Sequence, residues 1–221
     1  MTVSIDRSRL APVLAPALAV GLVAAAGMVV AGPLTPPAGP VSPTMKTLDE
    51  VEPRIAVNSV NTPGNADAIY RITRPGSYYL TDNLTINPRH GIQVLSSGVT
   101  LDLNGFQIND NAPDSGAVRY GVYIDAAGCT VRNGHFFWIH GYGLYCEASG
   151  CTFEGLSFSG CRSGGMYSLA NGSVSRCIAS DCHGPGFFLS ACSVTDCAAD
   201  GNTGERNGVR CGSIEHKMGI H

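Results

Sequence analysis

Aromatic and acidic residues recur in this sequence at a regular spacing. Tyr123, Tyr145 and Tyr167 follow one another at steps of 22 residues, and Phe188 follows after 21. Asp125 and Glu147 each come two residues after one of these tyrosines. Two carboxyl groups about 5 Å apart are suited to act as the acid and the nucleophile of glycoside cleavage, and aromatic rings can pack on the apolar faces of sugars. If the fold brings them to one surface, these residues indicate chemistry on a sugar chain.

Each aromatic residue of this series lies in a segment of the form Gly-apolar-x-apolar. These segments begin at Gly91, Gly121, Gly143, Gly165 and Gly186, and a sixth begins at Gly208. The steps are 30, 22, 22, 21 and 22 residues, and the long first step contains a polar insertion from Asn109 to Arg119. A second apolar series keeps the same period, at Leu101, Val131, Phe153, Val174, Val194 and Ile214. Two series in phase indicate stacked repeats that share one core, which is a solenoid.

Apolar residues alternate within each repeat, as in Val122 and Ile124, which is typical of a strand with one buried face. Glycine, serine, asparagine and cysteine fill the connections, and the regular leucines of a leucine-rich repeat are missing. The hexapeptide steps of a left-handed β-helix are missing too. The sequence therefore predicts an all-β fold, a right-handed parallel β-helix of about five to six coils with a short N-terminal cap.

In such a strand the residue between two inward residues points outward. We therefore expect one outward file of residues, one from each coil, that forms a ligand-binding face: Gln93, Tyr123, Tyr145, Tyr167, Phe188 and Arg210. Asp125 and Glu147 would lie beside this face on adjacent coils, as candidate catalytic residues. Two other interpretations stay open: the rings serve only to stabilise neighbouring strands, and the two carboxylates only begin solvated turns.

Composition limits the partners. The chain has 221 residues, a net charge of −3 and no basic cluster, which argues against nucleic acid. Residues 1–31 have a positively charged start, a long apolar run and small residues before a cleavage point after Ala31, as in a signal peptide. A retained membrane anchor is the alternative. We expect a secreted or cell-envelope protein that meets a membrane only if this leader is uncleaved.

The remaining boundaries follow from composition. Residues 32–44 are a proline-rich linker, 45–90 hold an N-terminal cap and the first strands, and 91–211 hold the β-helix repeats. A helix over Met45–Arg54 is expected to cover the first coil. Residues 212–221 form an irregular tail, so the last coil has no predicted cap and the C-terminal end is a candidate surface for self-association.

Nine cysteines occupy matching positions in successive coils, places that other coils give to Ile139 or Leu156. This pattern predicts thiols packed as small apolar residues. Disulfides between adjacent coils are the alternative, and the spacing does not favour zinc. A further inner column is predicted at Ile108, Trp138, Phe158, Ala179 and Ala199.

The insertion from Asn109 to Ser115 has two aspartates and two asparagines. Their oxygens are ligands that Ca²⁺ accepts, but the order of residues is not that of a known calcium loop, and a solvated bulge is the simpler interpretation. No cofactor is otherwise indicated. The sequence alone identifies no Ser or Cys that could act with the scattered histidines His135, His140 and His183. We interpret these histidines as turn or surface residues.

Two stretches, ITRPGSYYLTDNL and GIQVLSSGVTLDLNGFQI, resemble the opening of bacterial secreted right-handed parallel β-helix proteins of the pectate-lyase-like group. The resemblance covers roughly residues 33–211 and implies the same fold and export. That group includes polysaccharide lyases and hydrolases, phage tailspikes and surface proteins. The patterns that mark the catalytic strands of pectate lyases and polygalacturonases are missing here. Polysaccharide binding is therefore the first functional hypothesis, beside a lyase or glycoside hydrolase and a structural or adhesive surface module.

Overall fold

The computed structural model describes residues 54–87, 90–111 and 117–203, together with the strands at 209–211 and 219–220. The predicted leader, linker and cap helix lie outside the described residues, as do most of the Asn109–Ser115 loop and of the tail. The described residues form strands, turns and bends but no helix. They accordingly include no helical segment of the length and apolarity that a membrane span needs.

The strands are short and follow one another closely. In chain order they are β1 (Ile55–Val57), β2 (Ala68–Ile72), β3 (Gly76–Leu80), β4 (Leu84–Ile86), β5 (His90–Val94), β6 (Val99–Asp102), β7 (Gln107–Asp110), β8 (Val122–Ile124), β9 (Thr130–Phe137), β10 (Tyr142–Cys146), β11 (Cys151–Ser159), β12 (Gly164–Ser168), β13 (Gly172–Ser175), β14 (Ile178–Ser180), β15 (Phe187–Leu189), β16 (Cys192–Thr195), β17 (Ala198–Asp200), β18 (Val209–Cys211) and β19 (Gly219–Ile220).

Every pairing between these strands is parallel and joins one repeat to the next. The smaller sheet, sheet B, has seven strands in the order β2, β5, β8, β10, β12, β15 and β18. The larger sheet, sheet A, holds the other twelve, and the long strands β9 and β11 bend across both of its halves. The chain thus passes from sheet B through the two halves of sheet A and back, for about six turns. This is a right-handed parallel β-helix, as predicted.

Five strands of sheet A, namely β6, β9, β11, β13 and β16, carry the predicted apolar series on their buried faces, and its sixth member, Ile214, lies outside the described residues. Leu101, Val131, Phe153, Val174 and Val194 are in register across five coils, and each is at most 1% exposed. The burial of this column on successive coils supplies the main driving force for stacking, because one coil alone leaves its apolar side in water.

Two of the glycines that begin repeats, Gly121 and Gly143, are required by close approach inside the coil. A Cβ on Gly143 would lie 2.5 Å from Cδ1 of Phe158, and one on Gly121 would lie 2.6 Å from Cδ1 of Phe136. The two phenylalanine rings stack in the core with centroids 4.9 Å apart. Large rings in sheet A therefore fit only because the facing strands of sheet B have no side chain at this position.

One predicted inner column is wrong at a single position. The register places Ile108, Phe136, Phe158, Ala179 and Ala199 in one file. Phe136 therefore fills the place that the spacing assigned to Trp138. Trp138 instead lies at the corner after β9, where it is 66% exposed and has a positive φ of 55°.

The solenoid begins before the first glycine-led repeat. Strands β2, β3 and β4 pair in parallel with β5, β6 and β7, so residues 68–86 form a complete coil. β1 pairs in parallel with β3, on the edge of β3 that faces away from β6. At the other end of the second coil, Asn109 and Asp110 belong to β7 and not to the loop that the composition predicted.

The cysteines of the described coils are buried thiols, as the packed-thiol interpretation predicted. Cys161 and Cys182 continue the inner file that begins at Ile139, and each of the three is 0% exposed. Cys177 and Cys197 likewise lie on adjacent coils, where the backbone N–H of Cys177 donates to Sγ of Cys197 over 3.4 Å. The side chain of the ninth cysteine, Cys211, lies outside the described residues.

Candidate functional site

Sheet B holds the predicted aromatic file on its outer surface. Tyr123, Tyr145, Tyr167 and Phe188 are in register on four adjacent strands. Each of them is half-buried, while the residue on either side of it in its strand is fully buried. The orientation that alternation predicted is therefore confirmed for these four residues.

The rings stack on one another. Tyr145 and Tyr167 lie with centroids 4.6 Å apart and planes 2° apart, and Tyr167 and Phe188 lie 5.0 Å apart at 11°. Tyr123 departs from this arrangement, since its ring is tilted by 37° to that of Tyr145 at 5.8 Å. The place above Tyr145 is taken by Tyr120, whose ring lies 4.4 Å away at 9°.

His90 extends the stack by one more ring, with its centroid 5.0 Å from that of Tyr120 and a plane angle of 5°. We call the five stacked rings of His90, Tyr120, Tyr145, Tyr167 and Phe188 the aromatic ladder. Tyr123 and Tyr142 flank it with tilted rings, 5.9 Å from Tyr120 and 5.2 Å from Tyr167, respectively.

Sequence reasoning missed His90, Tyr120 and Tyr142, although a signal for them was present. Each is the residue immediately before a glycine of the repeat, at Gly91, Gly121 and Gly143. The glycine and the next residue both face inward. The residue before the glycine therefore reaches the same outer face as the residue two positions after the glycine, which is Gln93, Tyr123 or Tyr145. Strict alternation counted back from the tyrosine predicts that this residue faces inward, which is wrong.

Glu147 joins two tyrosines at the rim of the ladder. The Tyr145 hydroxyl donates to Oε1 of Glu147 over 2.9 Å, and the Tyr123 hydroxyl donates to Oε2 over 3.4 Å. Burial raises the pKa of Tyr145, and the hydrogen bond to the Glu147 carboxylate raises it further. The pKa of Tyr123 is raised by burial and then by the charges of Asp125 and Glu147. These hydroxyls are therefore held as neutral hydrogen-bond donors.

Asp125 lies on the coil next to Glu147, because Ile124 and Cys146, the residues before them, are register partners. Both carboxylate side chains are exposed, and neighbouring parallel strands are about 4.8 Å apart. The structure thus places the two predicted catalytic residues side by side. Glu147 accepts hydrogen bonds from two phenol hydroxyls, one at each of its carboxylate oxygens.

The other two predicted ligand-binding residues lie at the ends of the file. Gln93 is in register with Tyr123, and its Oε1 accepts a hydrogen bond from Nε of Arg71 over 3.2 Å. Arg210 is the register partner of Phe188 on β18, and its side chain lies outside the described residues. Gln93 thus continues the face toward the N-terminal coils with a polar group.

The ladder ends on its N-terminal side at His90, whose imidazole is held in its neutral form. His90 accepts a hydrogen bond at Nδ1 from the backbone N–H of Tyr120 over 3.0 Å. Burial lowers the pKa of His90, and the charge of Asp67 opposes that shift in part. An imidazole that accepts at Nδ1 is neutral, so the ladder ends in an uncharged ring.

The possible calcium ligands of the Asn109–Ser115 insertion are only partly described. Asn109 Oδ1 accepts a hydrogen bond from the Thr85 hydroxyl over 3.0 Å, and Asp110 Oδ2 lies 2.8 Å from Nε of Arg119. Among the described residues no group of three or more His, Cys, Asp or Glu is arranged to hold a metal ion. Calcium binding by this insertion stays an untested alternative to a solvated bulge.

Comparison with known proteins agrees with this architecture. A family profile with the description "Right handed beta helix region" matches residues 68–214. The chain therefore belongs to the right-handed β-helix family. Searches of curated proteins and of solved structures gave no match.

Proposed function

We propose that this β-helix protein is exported and binds a polysaccharide, such as a cell-envelope glycan, along the aromatic ladder of sheet B. One observation carries the proposal. The hydroxyls of Tyr123 and Tyr145 and the carboxylate of Glu147 form a hydrogen-bonded polar group at the rim of a row of half-buried rings. Partly exposed aromatic surface beside oriented polar groups is the combination that sugars need, because a sugar has apolar C–H faces and many hydroxyls.

The ladder geometry restricts how a glycan would bind. Tyr120, Tyr145 and Tyr167 each have both ring faces covered by neighbouring rings. A sugar would therefore contact the edges of these three rings and hydrogen-bond with Glu147, Asp125 and Gln93, since none of the three offers an open face as a stacking platform. Because the same contacts repeat on successive coils, an extended chain along the solenoid axis gains more than a single sugar.

The covered ring faces also support a second candidate function, a structural or adhesive module in which the ladder only stabilises the stacking of coils. Cross-strand aromatic pairs are known to stabilise neighbouring strands by themselves. A third candidate, a polysaccharide lyase or glycoside hydrolase that uses Asp125 and Glu147, is supported by the adjacency of these carboxylates on neighbouring coils.

Binding of the full chain to immobilised polysaccharides separates the first two candidates. The panel should include pectin, alginate, glycosaminoglycans and a neutral glucan. We expect binding to at least one of them, and we expect Tyr145→Phe to weaken it about tenfold, since that variant keeps the ring but removes the hydroxyl that holds the Glu147 carboxylate in place. Tyr79→Phe, on sheet A, is the matched control and should bind as the unmodified chain does.

Two results would count against the proposal: no binding to any member of the panel, or binding that Tyr145→Phe and Glu147→Gln leave unchanged. Release of reducing ends or unsaturated products from a bound polysaccharide, lost in Asp125→Asn, would favour the enzyme. Export has its own test, since cleavage after Ala31 gives a mature N-terminus that mass spectrometry of the secreted protein identifies.

A further inference from the structure

A second site lies away from the aromatic ladder, at the corner where the strands of sheet A end and those of sheet B begin. A cavity of about 480 Å³ opens there, and its walls include Asp110, Trp138, His140, Arg162 and His183. Ligand pockets of proteins commonly have volumes of about 300–1,000 Å³. These residues are far apart in the sequence, since 43 positions separate His140 from His183.

Three nitrogen-bearing side chains form a file along one wall of this cavity. The backbone N–H of Arg162 donates to the carbonyl of Ile139 over 2.8 Å, and that of His183 donates to the carbonyl of Cys161 over 2.9 Å. In a parallel ladder these bonds put His140, Arg162 and His183 at equivalent positions of three adjacent coils. Neighbouring members are therefore about 4.8 Å apart at the backbone.

The first member of the file is fixed by a buried ion pair. Asp110 has a side chain that is 0% exposed, and its Oδ2 lies 2.8 Å from Nε of Arg119 and 2.9 Å from Nδ1 of His140. Because a carboxylate only accepts hydrogen bonds, Nδ1 of His140 carries the hydrogen, which leaves Nε2 as the nitrogen with which this ring can meet a ligand. The side chain of His140 is 21% exposed.

Trp138 provides the apolar wall. The equivalent corner positions of the next coils hold Gly160, Asp181 and Gly201, which share its positive φ. The indole of Trp138 lies over Gly160, since a Cβ on that glycine would be 3.5 Å from Cδ2 of the indole. Left-handed backbone is unfavourable for a bulky residue. Here it holds an indole that is 66% exposed beside the file of nitrogen-bearing side chains.

We propose that this cavity binds a ring-shaped ligand that carries a phosphate or sulfate ester. The ring packs on the exposed side of Trp138, and the tetrahedral oxyanion is held by Arg162 together with Nε2 of His140 and the imidazole of His183. Three nitrogen-bearing groups from three coils match the three outer oxygens of such an ester better than the two oxygens of a carboxylate. The permanent charge of the Arg162 guanidinium makes it the principal anion ligand.

The protein has a built-in reporter for this proposal, because Trp138 is the only tryptophan among its 221 residues. Tryptophan emission of the full chain is recorded during titration with sodium phosphate, sodium sulfate and sodium acetate at constant ionic strength. Further titrations use glucose 6-phosphate, glucose 6-sulfate, glucuronate and glucose. We expect saturable changes with phosphate and sulfate, tighter binding of the two sugar esters, and weaker binding of glucuronate and glucose. The ester that binds more tightly shows whether the site is selective for phosphate or for sulfate.

Variants assign the binding to the cavity. Arg162→Gln is expected to weaken binding of either ester about tenfold, and His183→Gln is expected to weaken it less. Arg176→Gln is the matched control, because Arg176 lies in the bend between β13 and β14 and pairs with Glu154 outside the cavity. Circular dichroism of each variant checks that the β-helix is intact, and His183→Gln, a change at an exposed side chain, serves if Arg162→Gln does not fold.

Three results would overturn the proposal: a response that does not saturate with any of the anions, equal affinities for phosphate and acetate, or full affinity in both Arg162→Gln and His183→Gln. The proposal does not rest on the aromatic ladder. Tyr145→Phe is expected to leave ester binding unchanged, so glycan binding by sheet B and ester binding by the cavity fail or succeed separately.

Discussion

Tyr145 and Tyr167 lie on adjacent coils with their ring planes 2° apart and their centroids 4.6 Å apart. This near-parallel pair is the centre of the aromatic ladder, and it follows directly from the register that aligns β10 with β12. The repeat of the sequence thus becomes a repeat of contacts, both in the core and on the outer face of sheet B.

Removal of a ring from the middle of the ladder should destabilise the protein. Tyr167→Ala removes stacking with both Tyr145 and Phe188, and aromatic pairs are worth about 0.5–1.5 kcal/mol each beyond the area they bury. We therefore expect a loss of about 1–3 kcal/mol in the free energy of unfolding, measured by urea denaturation. Tyr167→Phe keeps the rings in contact and should unfold like the unmodified chain. Equal stability of Tyr167→Ala and Tyr167→Phe would show that the ladder does not contribute.

The raised tyrosine pKa values predict a loss of stability in alkali. Tyr145 and Tyr120 have a higher pKa in the folded chain than the ordinary value of about 10, chiefly because of burial. The unfolded chain therefore gives up these protons at lower pH than the folded chain does. Their contribution to stability is complete below about pH 10 and is lost as the pH rises through the folded values.

Glu147→Gln tests the cause of part of this shift, since it removes the charge that raises the pKa of Tyr145 and Tyr123. We expect the tyrosinate absorbance of the folded protein to appear at lower pH in this variant. Glu154→Gln, which changes a glutamate on sheet A, should leave the titration unchanged. A titration curve of Glu147→Gln identical to that of Glu154→Gln would exclude Glu147 as a cause.

The close approach of Gly143 to Phe158 can be tested by substitution at both positions. Gly143→Ala would place a Cβ 2.5 Å from Cδ1 of the ring, and overpacking of this kind costs about 1–3 kcal/mol. Phe158→Leu shortens the ring side chain and relieves the contact. The double variant should therefore lose less stability than the sum of the two single changes, by about 1 kcal/mol in a double-mutant cycle. Additive losses would argue against this contact as the reason for glycine.

The cysteines should react slowly with thiol reagents while the protein is folded. The hydrogen bond with Cys197 and then burial raise the pKa of Cys177, and the hydrogen bond with Cys151 and then burial raise that of Cys129. Hydrogen bonds with Cys177, Cys161 and Cys151 instead lower the pKa of Cys197, Cys182 and Cys146, which favours the reactive thiolate form. All eight described cysteines are buried, however, so we expect thiol reagents to reach them only after denaturant is added.

All nine cysteines should then react in denaturant without prior reduction. A count lower by two or more under these conditions would show disulfides between coils, the alternative that the spacing of the cysteines left open. Rapid labelling of most cysteines in the folded protein would contradict their burial.

The repeat was sufficient to predict the fold because glycine and apolar positions are both imposed by packing between coils. The error at Trp138 has a local cause. Asp102 pairs with Arg132, and Gln107 pairs with His135. The corner between β6 and β7 is therefore two residues longer than the equivalent bend inside β9. A constant step of 30 residues from Ile108 therefore overshoots the true partner, Phe136, by two.

The sites were less predictable than the fold. Alternation places Tyr145 and Tyr167 outward, but it says nothing of ring planes, and only the structure shows that Tyr120 takes the stacking position expected of Tyr123. The corner cavity escaped prediction for a similar reason. Apart from Asp110 at the end of β7, its residues lie at the corners between strands, where no two-residue period applies. Asp110 itself meets His140 across 30 positions of the chain.

The central functional claim is that a glycan lies on the outer face of sheet B, and hydroxyl-radical footprinting with mass spectrometry tests it most directly. The full chain is oxidised with and without the polysaccharide that binds best. We predict that the glycan protects Tyr123, Tyr145, Tyr167 and Phe188 from oxidation, while Tyr79 on sheet A is oxidised equally in both samples. Protection confined to sheet A, or no difference at the four aromatic residues of sheet B, would contradict the claim.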